Sequence, residues 1–348
     1  MTGTDPATPV GPTMSREAFV PARGLRNGHL MTIVAWASRR QFAELPAPEA
    51  RLIRVSDDTQ VLAHCYWQPN RAERPALVAL HGLEGSSSVH YMRGLARQAW
   101  LRGWNAVLLN QRNCGGTEHL TPTLYHSALT SDPREVIRSI AETDRIPHVF
   151  VVGYSLGGNL ALRIGGELSA TPGLPVRGIV AVCPTMDLDR CVRAIERPSN
   201  FAYQYNFVRN LKARLRRKAA QWPGRFDLGP LAAVRTIRAF DDVYTAPLSG
   251  FGNAATYYDR ASALRVVAEI RTPTLIVSAA DDPFVPPQQF DAPAVRENRW
   301  IHVEIPECGG HCAFLGPGEG HTRYWAEASA MDFFGAIPLP TGGGTAHR

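Results

Sequence analysis

Lysine is almost missing from this chain: Lys212 and Lys218 are the two in 348 residues, and arginine supplies the rest of the 37 basic side chains. Against 31 acidic residues the formal net charge is +6. No dense basic arm or repeat gathers that surplus, which argues against nucleic acid as a partner. The arginine bias reads as genome composition rather than phosphate recognition. Cysteine is sparse and scattered: Cys65, Cys114, Cys183, Cys191, Cys308 and Cys312 contain no C-x-x-C pair. That excludes a zinc ribbon or a disulfide framework and fits a reducing cytoplasm. No uninterrupted apolar run approaches the roughly 20 residues a membrane-spanning helix needs. Residues 1–16 are rich in Pro, Thr and Gly without the apolar centre of a signal peptide, and read as a disordered tail. A P-loop, a dinucleotide fingerprint and a zinc motif are all missing, so no metal or organic cofactor is expected.

What is present is the composition of an ordinary enzyme, 45% hydrophobic and 20% charged. The length suits one large α/β domain with an insertion, or two domains. Arg51 to Val55 and Val61 to Trp67 alternate like an antiparallel pair around the turn Ser56-Asp57-Asp58-Thr59. Ala76 to Leu80, Asn105 to Leu109, His148 to Val152, Arg177 to Val182, Thr274 to Ser278 and Trp300 to Ile305 are short, mostly apolar runs, as strands buried on both faces require. Helical patterns separate most of them, from about Val89 to Arg102 and from Asp132 to Thr143, with Asp132 as cap and Pro133 at the first position. Alternation of this kind predicts an α/β fold with a mostly parallel sheet flanked by helices. The rhythm breaks from about Met186 to Tyr244, a helical, aromatic and basic stretch. It is expected to form an insertion over the carboxyl edge of the sheet, where open α/β folds bind ligands. The domain is read over residues 17–335, the insertion over 186–244, and residues 336–348 as a flexible tail.

One stretch organises the rest. Gly153-Tyr154-Ser155-Leu156-Gly157 fits G-x-S-x-G, with an apolar strand before it and a helix after it. The bare pattern occurs by chance in roughly one chain in ten of this length, but the strand–turn–helix context makes chance far less frequent. A serine on so sharp a turn sits in strained backbone with its hydroxyl above the sheet edge. The next N–H, at a helix N-terminus, then faces a developing oxyanion. Partners are expected in the order Ser, acid, His. Asp281 and Asp282 follow the Thr274 to Ser278 strand, and His311 follows the last strand in a Gly-Gly-His turn. Turn position favours Asp282 as the acid, with Asp281 capping or bridging locally. His126 and His302 fall before the acid or inside a strand, and His321 begins a helix. The expected site is therefore Ser155, Asp282 and His311, with oxyanion donors from Leu156 and from Leu83 in His81-Gly82-Leu83-Glu84-Gly85. Within the insertion, Phe207, Leu211 and Leu215 recur every fourth residue among Arg209, Lys212, Arg214, Arg216, Arg217 and Lys218. This basic amphipathic helix is expected to be a solvated face over a packed stripe, with weak contact to anionic lipid as the functional alternative.

At this level of detail the sequence resembles the YheT-like (AB-hydrolase-4) family of the α/β-hydrolases, from about Phe19 to Phe334. The resemblance rests on the residues above together with Asn27-Gly28-His29-Leu30, where that family has proline in place of glycine. It also rests on Asn110-Gln111-Arg112-Asn113-Cys114-Gly115-Gly116, on Tyr125-His126-Ser127, and on the run from Asp241 through Gly250-Phe251 and Tyr257-Tyr258 to Ser262. It implies an esterase-like serine hydrolase of carboxylic esters, with lipid esters as substrates in some relatives, and again favours Asp282. The departures at Gly28 and Asn113 touch turn geometry. The first expectation is thus an esterase for a small-molecule ester. The alternatives are a lipid-directed lipase or acyltransferase at a membrane surface and a non-catalytic binding protein of the same fold.

Overall fold

The structure, a computed structural model, describes residues 17–170 and 173–339. The expected tail over residues 1–16 lies outside the described residues, as do residues 340–348 of the C-terminal one. Eight strands form one sheet in the order β1-β2-β4-β3-β5-β6-β7-β8. They are β1 (Glu49–Ser56), β2 (Thr59–Tyr66), β3 (Ala76–Leu80), β4 (Asn105–Leu109), β5 (Val149–Tyr154), β6 (Val176–Val182), β7 (Thr274–Val277) and β8 (Ile301–Glu304). The β1–β2 and β2–β4 pairs are antiparallel. All other neighbours run parallel.

Every residue of β3, β4 and β5 is buried. Their uniform apolar sequence is what a strand covered on both faces needs, because each fully buried Val, Leu or Ile contributes about 1.5–3 kcal/mol. One face of the sheet is covered by α2 (His90–Leu101) with the final helix Trp325–Gly335, the other by α3 (Ser131–Thr143) and α4 (Leu156–Glu167). A short helix, α1 (Gly28–Ala37), precedes the sheet, with the Asn27 side chain accepting the Leu30 N–H at 3.0 Å.

Two local expectations change. Asp132 does not cap α3: the helix begins at Ser131, one residue earlier. Both Asp132 carboxylate oxygens instead accept from Arg112 at 2.6 Å. A bidentate charge-assisted pair outcompetes a single bond to a helix N–H. Ile337, assigned to a loose tail, is buried against the core, so packed chain continues past residue 335.

Between β6 and β7 the chain carries α5 (Leu188–Ile195), α6 (Phe201–Gln221) and further short helices ending in Ala254–Ala261. This helical stretch outruns the expected boundary at residue 244. Asn159 on α4 pins its far end, donating to the carbonyls of Ser127 and Ala261 and accepting from the Ala263 N–H.

Candidate active site

Each candidate residue sits at the carboxyl end of a strand. Ser155 joins β5 directly to α4 with φ 55 and ψ −116, a conformation costly for any residue but glycine. Its N–H is held by the Val182 carbonyl at 2.8 Å, which fixes the turn to the neighbouring strand. Gly157 is required by close approach, since a Cβ there would stand 2.2 Å from the Leu80 carbonyl oxygen. Leu156 is the first residue of α4, so its N–H is one of the four that have no acceptor within the helix.

His311 and Asp282 come to the serine from loops after β8 and β7. His311 Nε2 lies 2.9 Å from Ser155 Oγ, and its Nδ1 lies 2.9 Å from Asp282 Oδ2. Asp282 is fully enclosed at its side chain, where Oδ1 also accepts the N–H groups of Phe284 and Val285 at 2.8 and 3.0 Å. Burial pulls the His311 imidazole down, but the Asp282 charge and hydrogen bond outweigh it and hold the ring well above its ordinary value. Asp281 points away from the imidazole. Its Oδ1 accepts the Gly310 N–H at 2.8 Å, shaping the turn that presents His311.

The loop after β3 lies directly against the serine. The Gly82 N–H donates to Tyr91 Oη at 3.1 Å, and Tyr91 stacks on Tyr154 at 4.6 Å between centroids. His81 is fully buried, with Nδ1 2.8 Å from the Gly82 carbonyl and Nε2 accepting the Gln111 N–H at 3.1 Å. Burial pushes its pKa down to about 4, so it is a neutral structural ring at neutral pH. Leu83 and Leu156 both line the space above Ser155.

That space is divided. On one side a narrow cavity of ≈ 80 Å³ runs under the cap between Leu188, Val192, Ile195, Leu211 and Ile237. On the other a cleft of ≈ 590 Å³ opens past Tyr91, Tyr203, Ile33 and Trp36. Ser155, His311, Leu83, Phe207 and Phe284 border both.

Several contributors escaped the sequence reading. α1 supports the histidine loop, because Thr32 Oγ1 accepts the His311 N–H at 2.8 Å. Gly28 packs so closely that a Cβ would meet the Asp281 carbonyl at 2.0 Å, so this chain leaves no room for a side chain there. Phe284 sets its ring edge against His311 at 4.6 Å. The basic helix is not a solvated cationic face throughout. Arg214 turns inward to a buried ion pair with Glu84 and lies over the Tyr125 ring, while Lys218 donates to the Glu118 and Thr121 carbonyls. Burial lowers the Lys218 ammonium to about 7. Two thiols, of Cys183 and Cys312, also converge beside His311. For Cys312, burial works against ionisation, but the Cys183 hydrogen bond and the charge of His311 hold the thiol at about 6.

Comparison with known proteins agrees with this architecture. Residues 61–320 match the family described as Alpha/beta hydrolase family. The chain is 35% identical over 325 residues to Putative esterase YheT of Escherichia coli (strain K12), covering 92% of this chain and 93% of that protein. It is 25% identical over 299 residues to Phospholipase ABHD3 of Mus musculus, covering 82% and 72% of the two chains. Among solved structures, a 2,6-dihydroxy-pseudo-oxynicotine hydrolase shares the fold with a TM-score of 0.57 at 18% identity, covering 91% of this chain and 75% of its own.

Proposed function

This chain belongs to the alpha/beta hydrolase family, in its YheT-like esterase branch, and we propose that it hydrolyses carboxylic esters through Ser155, His311 and Asp282. The observation that carries the proposal is the unbroken hydrogen-bond chain from Ser155 Oγ through the imidazole to a buried carboxylate. In this reading His311 Nε2 takes the hydroxyl proton as Ser155 attacks the ester carbonyl, while Asp282 fixes the tautomer and stabilises the imidazolium. The N–H groups of Leu156 and Leu83 receive the oxyanion, each contributing about 2.7–4 kcal/mol of barrier lowering. His311 then protonates the leaving alcohol, and water enters by the same route to release the acid from the acyl-serine.

The divided space supports one subsite for each half of the substrate. The narrow apolar cavity suits a small or medium acyl chain, and the open cleft suits the alcohol. Hydrolysis of p-nitrophenyl esters across acyl lengths tests both parts. The rate should peak at one short-to-medium length and fall by on the order of 10⁴–10⁶-fold in Ser155→Ala. A rate that survives the substitution would sink the proposal.

A second reading, a lipid ester taken from a surface, is favoured by the cleft mouth. Leu30, Ile33 and Trp36 on α1 face out beside Phe201 and Tyr205 on α6, all exposed. Co-sedimentation with vesicles separates it from the first. No helix among the described residues is long and apolar enough to cross a membrane.

A further inference from the structure

Cys183 and Cys312 lie 129 residues apart in sequence and serve no step of the reaction above. Cys183 directly follows β6, fully buried, with φ 45, and Cys312 directly follows His311 with φ 60. The Cys312 N–H points at Cys183 Sγ from 3.2 Å. The two sulfurs and one ring nitrogen of His311 all lie within 4.8 Å of one another. We infer that these three residues form an inhibitory site for a thiophilic divalent cation of the zinc type, which shuts the hydrolase by capturing its histidine.

The geometry needs little adjustment. With Zn–S near 2.3 Å and Zn–N near 2.0 Å, tetrahedral ligand atoms stand roughly 3.5–3.8 Å apart, so the three groups close by about 1.3 Å at most. A disulfide would demand closure of the sulfurs to about 2.05 Å. The carboxylate of Asp282 adds negative charge that attracts a cation to the site, and the Cys312 N–H donates to the Cys183 sulfur; burial and the nearby negative charge keep the Cys183 thiol protonated until a metal displaces its proton. Binding takes up the ion and expels to solvent whatever protons the two thiols and the metal-facing imidazole nitrogen still carry. Cys312 and His311 line the cleft, which gives an ion its way in.

The consequence for the reaction does not depend on which ring nitrogen is used. Coordination through Nε2 breaks the bond to Ser155 Oγ, and coordination through Nδ1 breaks the bond to Asp282. Metal and catalysis exclude each other, so this is not a resident cofactor site. The predicted loss of rate rests on the triad reading above, whereas the binding does not.

The full-length protein is titrated with Zn²⁺ during ester hydrolysis, and separately with Co²⁺, whose thiolate charge-transfer absorption reports binding without turnover. Wild type should lose most of its rate at micromolar Zn²⁺ and regain it with EDTA, and should show the cobalt band. Cys183→Ser and Cys312→Ser, each scored against its own metal-free rate, should require on the order of a hundredfold more Zn²⁺ and lose the band, while Cys308→Ser behaves as wild type. The band should persist in Ser155→Ala, which separates failure of this site from failure of the esterase reading. Equal Zn²⁺ sensitivity in both cysteine variants would place the ion on Ser155, His311 and Asp282 alone and overturn the inference. So would inactivation reversed by thiol reductant and not by EDTA, the mark of a disulfide.

Discussion

On one side of Ser155 lies the edge of a sheet, and on the other a helical cap, and the two are held together by different physics. The sheet edge fixes its reactive residues by their backbone N–H groups: that of Ser155 on the Val182 carbonyl, that of Gly310 on the Asp281 carboxylate, that of His311 on the Thr32 hydroxyl. The cap shapes its cavity with side chains, and those include buried charge, as in the Arg214–Glu84 pair and in Asp241, which accepts from Tyr258 at 2.7 Å. Backbone positioning tolerates almost no local change, whereas a side-chain lining can be altered one residue at a time. Chemistry and specificity should therefore separate under mutation.

The largest effect is expected at the sheet edge. Asp282→Asn should lower kcat by about 10⁴ while leaving the fold intact, because the wrong imidazole tautomer then faces the serine. The neighbouring Asp281→Asn keeps an acceptor for the Gly310 N–H and should cost far less. The pH profile sharpens the contrast. The base must be neutral, and Asp282 holds the His311 pKa well above the ordinary 6.5, so the acid limb of kcat/KM should lie above that value. Removing the carboxylate charge should move the limb to lower pH. A limb that stays put in Asp282→Asn would uncouple His311 from that carboxylate.

The next effect belongs to the cap and should appear as stability rather than as chemistry. Arg214→Ala leaves the Glu84 carboxylate buried without its partner, in the same loop as Leu83. Breaking a buried pair from one side costs about 3–5 kcal/mol, readable as a shift of the urea unfolding midpoint. The double variant Glu84→Gln/Arg214→Met should recover much of that loss, since no uncompensated charge remains. A single variant as stable as wild type would mean that the pair is solvated and that the cap obeys the same rules as an ordinary surface.

The same contrast explains what the sequence could convey. The strands were legible because burial on both faces leaves one kind of residue, as in Ala76 to Leu80 and Ala106 to Leu109. The elbow was legible because close approach permits only glycine at Gly157. Chain order brought out Ser155, Asp282 and His311 as candidates, and the two aspartates differ by one residue across a turn that points one side chain to His311 and the other to Gly310. In the cap, a cation such as Arg214 or Lys218 has the same letter whether it faces water or a buried carbonyl, so periodicity alone reads it as surface. The partners that decide the matter, Glu84, Glu118 and Thr121, come from loops far away in the chain. Cys183 and Cys312 escaped for the same reason: metal-ligand spacing is recognised when it is local, and theirs exists only after folding.

The smallest effect concerns the mouth of the cleft and decides between the two substrate readings. With Arg214 and Lys218 turned inward and Arg217 paired to Glu118, α6 keeps less free cationic surface than its sequence offers. Attraction of this helix to anionic lipid would be weak and would vanish with salt. The exposed apolar residues at the rim act differently, because partial burial of Leu30, Phe201 or Tyr205 is worth about 1 kcal/mol each and is little affected by ionic strength. None of the three borders the cleft itself. Replacing each by serine should therefore lower vesicle co-sedimentation by about fivefold per residue, at low and high salt alike, and should slow hydrolysis of emulsified esters more than of soluble ones. Binding that disappears with salt yet ignores these substitutions would return the contact to the arginines. No binding in either condition would leave the mouth as an entrance for soluble esters, with the narrow cavity alone setting which acyl chain is cleaved.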